Sequence, residues 1–524
     1  MKNIASRIKN FNFVKTFKLD RFTMPVIITA AIAIFLMSNY LLSQFSLRLD
    51  LSQGQAYTLS TATKNTLNKL DKNATITFFV SSDIPAMLQP LKREVLDLLQ
   101  EYDKSSGKIQ LKVLDPKTDE NAKKQADEAG IQPLPFQQLQ QNQYQVTNAY
   151  FGVLIEYNSQ KEALPQVTEV ETLEYNITTA LYKLSRKELP RIAIMGYEES
   201  FMPGGDQVSL LRQVLSRQFT VESITLPPPA GTDAEPTPTP EKPFAIDQKY
   251  NAVLLSVQPG RTFDDAEIAA LKTYLNNKGK VIVLMNGVGV EEQLTTTEAP
   301  AKLLVLLKEY GLNVQKNLVL STASELVNLG QQGQSLLFSY PFWILSNQFA
   351  KDSSYFSGVG MVSYPWASSV TVEKKKGYQA KELIFSSRES WTQQGSFILD
   401  PQQIPQPKQS DIKPFLIAAE SKKENGGAVL FIGSSRFIED RYLSPRSQNL
   451  GFVLNVLNDY ASAGALSGIR SRALSLFPLP DLPKQMQTVY QYMNIILLPA
   501  IFAIYGVVRL YKRNKASRMG SNAN

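Results

Sequence analysis

YNAVLLSVQPGRTFDDAEIAALKTYLNNKGKVIVLMNG, running from Tyr250 to Gly287, reads as strand, helix, strand. Tyr250 to Val257 reads as a strand of the kind buried on both faces, and Val281 to Met285 is a second. Between them Ile268, Leu271, Tyr274 and Leu275 recur at helical spacing behind the start signal Phe263-Asp264-Asp265. Two buried strands joined by an amphipathic helix make a parallel unit of an α/β sheet. The alternation extends upstream, where Arg191 to Met195 is a strand ending at Gly196, Ser209 to Arg217 a helix and Thr220 to Thr225 a strand. It resumes downstream with a strand over Ala428 to Gly433 and a helix over Asn449 to Tyr460 that turns Phe452, Val453, Val456 and Leu457 inward. Residues 189–465 are expected to form a doubly wound α/β domain.

Two segments interrupt this pattern. PPPAGTDAEPTPTPEKP, residues 227–243, is too rich in proline and small residues to bury a core and reads as an exposed, mobile spacer. Between about 290 and 425 the signal weakens to a helix over Ala301 to Tyr310 and a strand near Leu318. Tyr340-Pro341-Phe342-Trp343 and Tyr364-Pro365-Trp366 read there as exposed or half-buried aromatic loops, able to hold a sugar or to plug a core.

In open parallel sheets ligands bind beyond the carboxyl ends of the strands. That rule gathers Gly196, Tyr197, Glu198, Glu199, Gln258, Pro259, Gly260, Asn286 and Gly287 into one candidate ligand crevice, with Ser434 to Asp440 as a rim. The competing reading is structural: glycines at strand ends permit turns, and Asp264 with Asp265 stabilises a helix N-terminus. Glu198 and Glu199 are adjacent carboxylates, but a glycosidase acid and base must flank a bond from opposed positions, which neighbours on one turn seldom do.

Upstream of residue 189 a second pattern appears. Thr58-Leu59-Ser60-Thr61 caps a short helix reaching Leu70, and Thr75 to Val80 is a strand. Leu91, Val95, Leu98, Leu99 and Tyr102 mark a long amphipathic helix, followed by a strand at Ile109, Leu111 and Val113. DENAKKQADEAG suggests a polar helix, Tyr150 to Tyr157 and Glu162 to Leu164 two strands, and Glu171 to Leu184 a closing helix. The order β-α-β-α-β-β-α over residues 46–188 is that of a thioredoxin-like domain, here without cysteine and so a scaffold.

The chain contains neither Cys nor His. Ser-His-Asp and Cys-His catalysis, CxxC redox chemistry and zinc sites built on imidazole or thiolate are thereby excluded. The phosphate-cradling pattern GxxxxGK[ST] is also missing, so no nucleotide motor is expected, and no cofactor.

Two apolar stretches near the ends read as membrane spans, residues 24–45 and 489–509. Lys2, Arg7, Lys9, Lys15, Lys18 and Arg21 precede the first, and Arg509 closes the second, followed by Lys512, Arg513, Lys515 and Arg518. Such basic flanks imply cytoplasmic tails over 1–23 and 510–524, contact with membrane lipid, and a large extracytoplasmic domain re-entering the bacterial inner membrane through a stalk at 466–488. The formal charge of +8 is concentrated in those tails, leaving the middle close to neutral, so a nucleic-acid partner is not indicated.

Over most of its length the chain resembles the auxiliary component of ABC-type transport systems associated with gliding motility, the GldG-like proteins. The resemblance is carried by Leu51 with Tyr57-Thr58-Leu59-Ser60, Phe78-Phe79-Val80-Ser81, Gly130-Ile131-Gln132-Pro133 and Tyr150 to Tyr157. It continues through Leu173-Glu174-Tyr175-Asn176-Ile177-Thr178, Lys187 to Gly196, Val429 to Phe437 and Asn449 to Leu457. It implies a membrane subunit working beside a separate ABC ATPase and a multi-span permease. The second half is then similar to a class I glutamine amidotransferase-type α/β fold stripped of catalytic Cys and His. Where relatives often show Gly-His-Gly-Glu, this chain has Gly196-Tyr197-Glu198-Glu199 and no imidazole. The expected function is a non-enzymatic, membrane-anchored accessory subunit presenting a receptor or scaffold. The alternatives are a stand-alone envelope glycan- or peptidoglycan-binding protein that uses the aromatic loops, and a hydrolase built on Glu198 or Glu199.

Overall fold

The computed structural model describes residues 58–140, 143–170, 172–197, 199–200, 205–227, 244–328, 337–351 and 353–462, with short pieces at 29–37, 464–469 and 486–507. It is a mixed α/β fold with two principal sheets.

The first sheet is built on β1 (Ala74–Val80), which pairs in parallel with β2 (Ile109–Leu114). A hairpin of β3 (Leu134–Gln140) and β4 (Gln143–Ala149) interrupts the path before β5 (Phe151–Tyr157), which runs antiparallel to β1 and to β6 (Gln160–Leu164). Spatial order is β2-β1-β5-β6. Helices α1 (Thr61–Asn68), α2 (Gln89–Ser105) and α4 (Leu173–Leu184) cover one face, where Leu67, Val95, Leu98, Leu99, Tyr102, Ile177 and Leu181 meet Ile76, Phe78 and Val80. The polar helix α3 (Glu120–Glu128) offers only Ala122 and Ala126 to the opposite face, against Phe79 and Leu154. Alternating side chains of one strand thus feed two cores.

Eight strands form the second sheet. They are β7 (Arg191–Met195), β8 (Thr220–Ile224), β9 (Ala252–Ser256), β10 (Lys280–Leu284), β17 (Gln348–Phe349), β20 (Tyr378–Phe385), β22 (Leu416–Lys423) and β23 (Ala428–Ile432). Their order is β17-β20-β22-β23-β10-β9-β7-β8. β8, β7, β9, β10 and β23 are mutually parallel, and β22, β20 and β17 complete the sheet antiparallel. Helices α5 (Ser209–Ser216) and α8 (Asn449–Ser462) pack on one face with Ile192, Ile194 and Leu254. On the other, α6 (Asp265–Asn276) and α7 (Ala301–Glu309) pack with Ala193, Met195, Val253 and Leu255. Burial on both faces explains the unbroken apolar runs in β7, β9, β10 and β23. Strand order reverses between β7 and β9, which defines the topological switch point.

A β-rich insertion follows β10 and touches the sheet at β17 and β20 before the chain reaches β22. It contains β11 (Val288–Val290), β12 (Thr296–Glu298), β13 (Leu312–Val314), β14 (Asn317–Ser321), β15 (Ser324–Asn328), β16 (Leu337–Ser346), β18 (Val362–Pro365), β19 (Val370–Val372) and β21 (Ser390–Gln394). Most of these strands are too short to show a period of two in sequence. The aromatic segments are not exposed loops: Tyr340, Phe342 and Trp343 belong to β16, Tyr364 to β18, and Trp343 pairs across with Pro365. Tyr340, Phe342, Tyr364 and Trp366 are buried. Trp343 and Trp366 meet edge to face at 5.3 Å.

The structure does not support the two-span expectation. Among the described residues no helix is long and apolar enough to cross a membrane. Only 29–30 and 32–37 of the first apolar stretch are described, as helix, and of the second only 489–493, 495–496 and 505–507. The reading as a two-span, membrane-anchored protein of the bacterial inner membrane with lipid contact, cytoplasmic tails and an extracytoplasmic domain is withdrawn on this finding. The basic tails, nearly all of the 227–243 segment and most of 466–488 lie outside the described residues.

Candidate functional site

At the switch point β7 ends in Gly196, whose backbone lies against β9. Its φ is +92°, and an added Cβ would stand 2.0 Å from the Ser256 carbonyl oxygen. Only glycine meets both demands. The next residue, Tyr197, is 5 % exposed and points into the molecule. Its hydroxyl lies 3.1 Å from the Ser435 carbonyl oxygen and 3.2 Å from Glu439 Oε1, with one proton to donate. Burial first, and then the Glu439 carboxylate, push that hydroxyl far above the ordinary tyrosine value. Ser256 Oγ donates to the same Ser435 carbonyl at 3.0 Å.

Asn286, beyond β10, completes the arrangement. Its Oδ1 accepts the Ser435 backbone N–H at 2.8 Å, and its Nδ2 donates to the Trp366 carbonyl. Gly287 lets two segments approach, since a Cβ there would meet the Gln315 carbonyl oxygen at 2.0 Å. A Cβ added at Gly433, at the end of β23, would meet the Ser368 carbonyl oxygen at 2.0 Å. The turn after β23 therefore drops into the crevice and is held from three strand ends at once.

The remaining candidates lie elsewhere. Pro259 and Gly260 form the turn after β9, where Pro259 abuts Gly289 of β11 and Gly260 has a φ of +78°. Gln258 places Nε2 3.5 Å from Ser256 Oγ. Glu199 is exposed, and Glu198 lies outside the described residues. The structure brings Gly196, Tyr197 and Asn286 together around Ser435 and leaves Glu199, Pro259 and Gly260 at the periphery.

The rim hides the carboxylate that sequence reading did not single out. Glu439 is fully buried, with Oε1 facing Tyr197 and Oε2 accepting from Arg441 Nε at 3.1 Å. Arg441 also pairs with Glu292 at 2.6 Å. Arg436 is 6 % exposed, donates to Tyr442 Oη at 2.9 Å and lies over the rings of Trp366 and Tyr442 at 5.2 and 5.6 Å. A guanidinium over two aromatic faces is a cation–π contact that locks the plug in place. Chemically the site is a polar network in which the buried Glu439 carboxylate has a partner at both oxygens, while the Ser435 hydroxyl and Arg436 Nε are buried without a hydrogen-bond partner among the described residues. Among the described residues no group of three or more Asp or Glu side chains is placed to hold a metal ion.

These features define a class: an α/β protein of doubly wound strand order whose ligand crevice is filled by its own chain. The chain belongs to the family described as ABC-type uncharacterized transport system, whose model matches residues 189–463, more than half of the chain. Residues 53–156 match a domain of unknown function, DUF7088. Along nearly its whole length it is similar to an uncharacterized protein of Borreliella burgdorferi, 24 % identical over 509 residues, covering 90 % of this chain and 94 % of that one. Among solved structures, the mmIFT52 N-terminal domain aligns over 51 % of this chain and 99 % of its own, at 16 % identity and a TM-score of 0.31. A ThuA-like protein from Bacteroides uniformis aligns over 54 % and 97 %, at 14 % identity and a TM-score of 0.28. Scores this low carry no argument about function.

Proposed function

We propose that the chain is a non-catalytic binding or scaffold component of an ABC-type transport system, working beside a separate ABC ATPase and a multi-span permease. The observation that carries this reading is the plugged crevice: Tyr197, Ser256 and Asn286, the polar groups best placed to greet a ligand, all bind Ser435 of the same chain. Family membership supports the transport setting, and the chain's lack of Cys and His removes the usual nucleophile and base pairs. ATP hydrolysis is assigned to the partner, since no phosphate-cradling motif occurs here. The finer placement in the gliding-motility branch rests on the sequence resemblance alone.

Reconstitution provides the test. Adding the purified chain to its cognate ATPase and permease should change their ATP turnover or substrate dependence, and Glu199→Gln should leave that effect intact. Turnover of any substrate by the isolated chain that Glu199→Gln abolishes would overturn the non-catalytic reading.

A further inference from the structure

Among the described residues three arginines are largely withdrawn from solvent. Arg212 and Arg261 each have a side chain 12 % exposed, and each has a carboxylate against it, Asp206 at 2.8 Å and Glu267. Arg436 is buried as well, yet of the three it alone forms no ion pair with a described residue. A guanidinium taken out of water without a counter-charge is strongly destabilising, which is why buried charges are normally paired. The acidic side chains on the same rim are already engaged. Glu439 and Glu292 both turn oxygens to Arg441, at 3.1 and 2.6 Å, and the other Glu439 oxygen faces Tyr197.

What surrounds the Arg436 guanidinium is aromatic. The rings of Trp366 and Tyr442 flank it, and Trp343 meets both of them edge to face at 5.3 and 5.2 Å. Ring faces attract a cation, but they offer no acceptor to the N–H groups in its plane. Nη1 donates to Tyr442 Oη at 2.9 Å, whereas Nε is buried with no partner among the described residues. Nε and Nη2 together form the side-on edge of a guanidinium, on which a carboxylate or phosphate is held by two parallel hydrogen bonds. The hydroxyl of the preceding residue, Ser435, is likewise buried and unpartnered. Both residues follow β23 at its carboxyl end, the side of a parallel sheet on which ligands gather. Tyr442 is half-buried and belongs to the single turn Asp440–Tyr442.

We propose that Arg436 anchors an oxyanion-binding site, taking the carboxylate or phosphate group of a small solute on its Nε–Nη2 edge while Trp366 and Tyr442 flank the guanidinium and the turn carrying Tyr442 covers it. The unpaired buried charge selects an anion as the ligand, and the free edge selects one that carries two oxygens on a single centre. The aromatic walls keep water from the cation, so the attraction is screened less than at an exposed arginine. The crevice at the switch point stays closed throughout, because the site lies on the segment that plugs it. This site goes beyond the transport reading. It belongs to the chain alone, so its failure leaves that reading intact, and loss of that reading leaves the site.

Titration of the purified full chain with sodium acetate and, separately, with sodium phosphate tests the site. Ionic strength is held constant with sodium chloride, and binding is followed by tryptophan fluorescence and by the NMR resonance of the Arg436 Nε–H. A saturable fluorescence change is expected, since Trp366 lies over the guanidinium, together with a shift of that resonance. The ion with the lower half-saturation identifies the group taken as carboxylate or phosphate. Arg436→Gln should raise the half-saturating concentration about tenfold or more, and Arg436→Lys, which keeps the charge without the fork, about threefold or more. No saturable response to either ion, a response that chloride alone reproduces, or one kept in full by Arg436→Gln would each overturn the proposal. So would an Nε–H resonance that stays in place while the fluorescence changes, a result read on the unaltered chain and therefore independent of whether the variants fold.

Discussion

Gly196 and Gly130 show how much a residue's surroundings decide. Both have positive φ, +92° and +73°, but a Cβ at Gly196 would strike the Ser256 carbonyl oxygen, whereas at Gly130 it meets nothing within 4 Å. Gly130→Ala is expected to cost about 1 kcal/mol, the price of a left-handed conformation alone. Gly196→Ala should cost about 3 kcal/mol or more, because strands β7 and β9 must also part. Urea unfolding of the two variants measures the difference. At Ser435 the carbonyl oxygen has two donors, so Tyr197→Phe and Ser256→Ala should each cost about 1 kcal/mol and the pair together more than their sum, as the last donor is lost. A double-mutant cycle reads that coupling. The strand-end glycines were legible in sequence because turns after buried strands demand them. Glu439 was not, since its partner Tyr197 is 242 positions away and nothing local marks a carboxylate for burial.

Elements whose causes are local were the readable ones. Phe263-Asp264-Asp265 announces α6, and the structure shows a full capping box: Asp264 accepts from the Glu267 N–H at 2.7 Å while Glu267 accepts from the Asp264 N–H at 2.9 Å. Asp264→Ala should lower stability by about 1 kcal/mol, measured by thermal unfolding. Edge strand β8 makes a pH prediction. Glu222 is pushed down to about 2 from 4.5, first by the hydrogen bond from Lys249, then by those from Tyr250 and Arg191. Its contribution is complete above the unfolded value of 4.5 and is lost as pH falls toward 2. Glu222→Gln should flatten that part of the stability profile by lowering stability above pH 4.5 while leaving the most acidic region nearly unchanged, and an NMR titration of the side chain should place its midpoint near 2. The insertion between β10 and β22 was barely legible, because most of its strands are no more than five residues long, and such short strands stitched by distant partners carry no period. The β3–β4 hairpin was missed for a related reason: a glutamine-rich strand lacks apolar alternation.

Across the molecule, two motifs noticed separately in sequence turn out to be one structural unit. Glu174 of α4 is 1 % exposed and accepts from the Ser60 N–H at 2.7 Å and from Thr63 Oγ1 at 2.8 Å, while Thr178 meets Thr63 at 3.1 Å and Tyr102 at 2.6 Å. The next residue of the same helix, Tyr175, receives a hydrogen bond from Gln218 and packs against the core of the second sheet. Helix α4 therefore joins the two halves. Glu174→Ala should cost about 2–4 kcal/mol, since buried donors lose a charged acceptor, and amide exchange should show the first sheet opening before the second. The apolar ends taught the opposite lesson. Their composition suggested spans, and the described helices do not reach that length.

The central claim is that this chain works by binding within an ABC-type transport system and leaves the chemistry to a partner. Affinity isolation of the tagged full chain from its own host, with quantification of co-isolated proteins and their ATP turnover, tests it most directly. A cassette ATPase and a permease recovered in fixed ratio, with turnover that changes when the chain is removed, is the expected result. A chain isolated without either partner, beside an ATPase–permease complex whose turnover is indifferent to it, would contradict the claim.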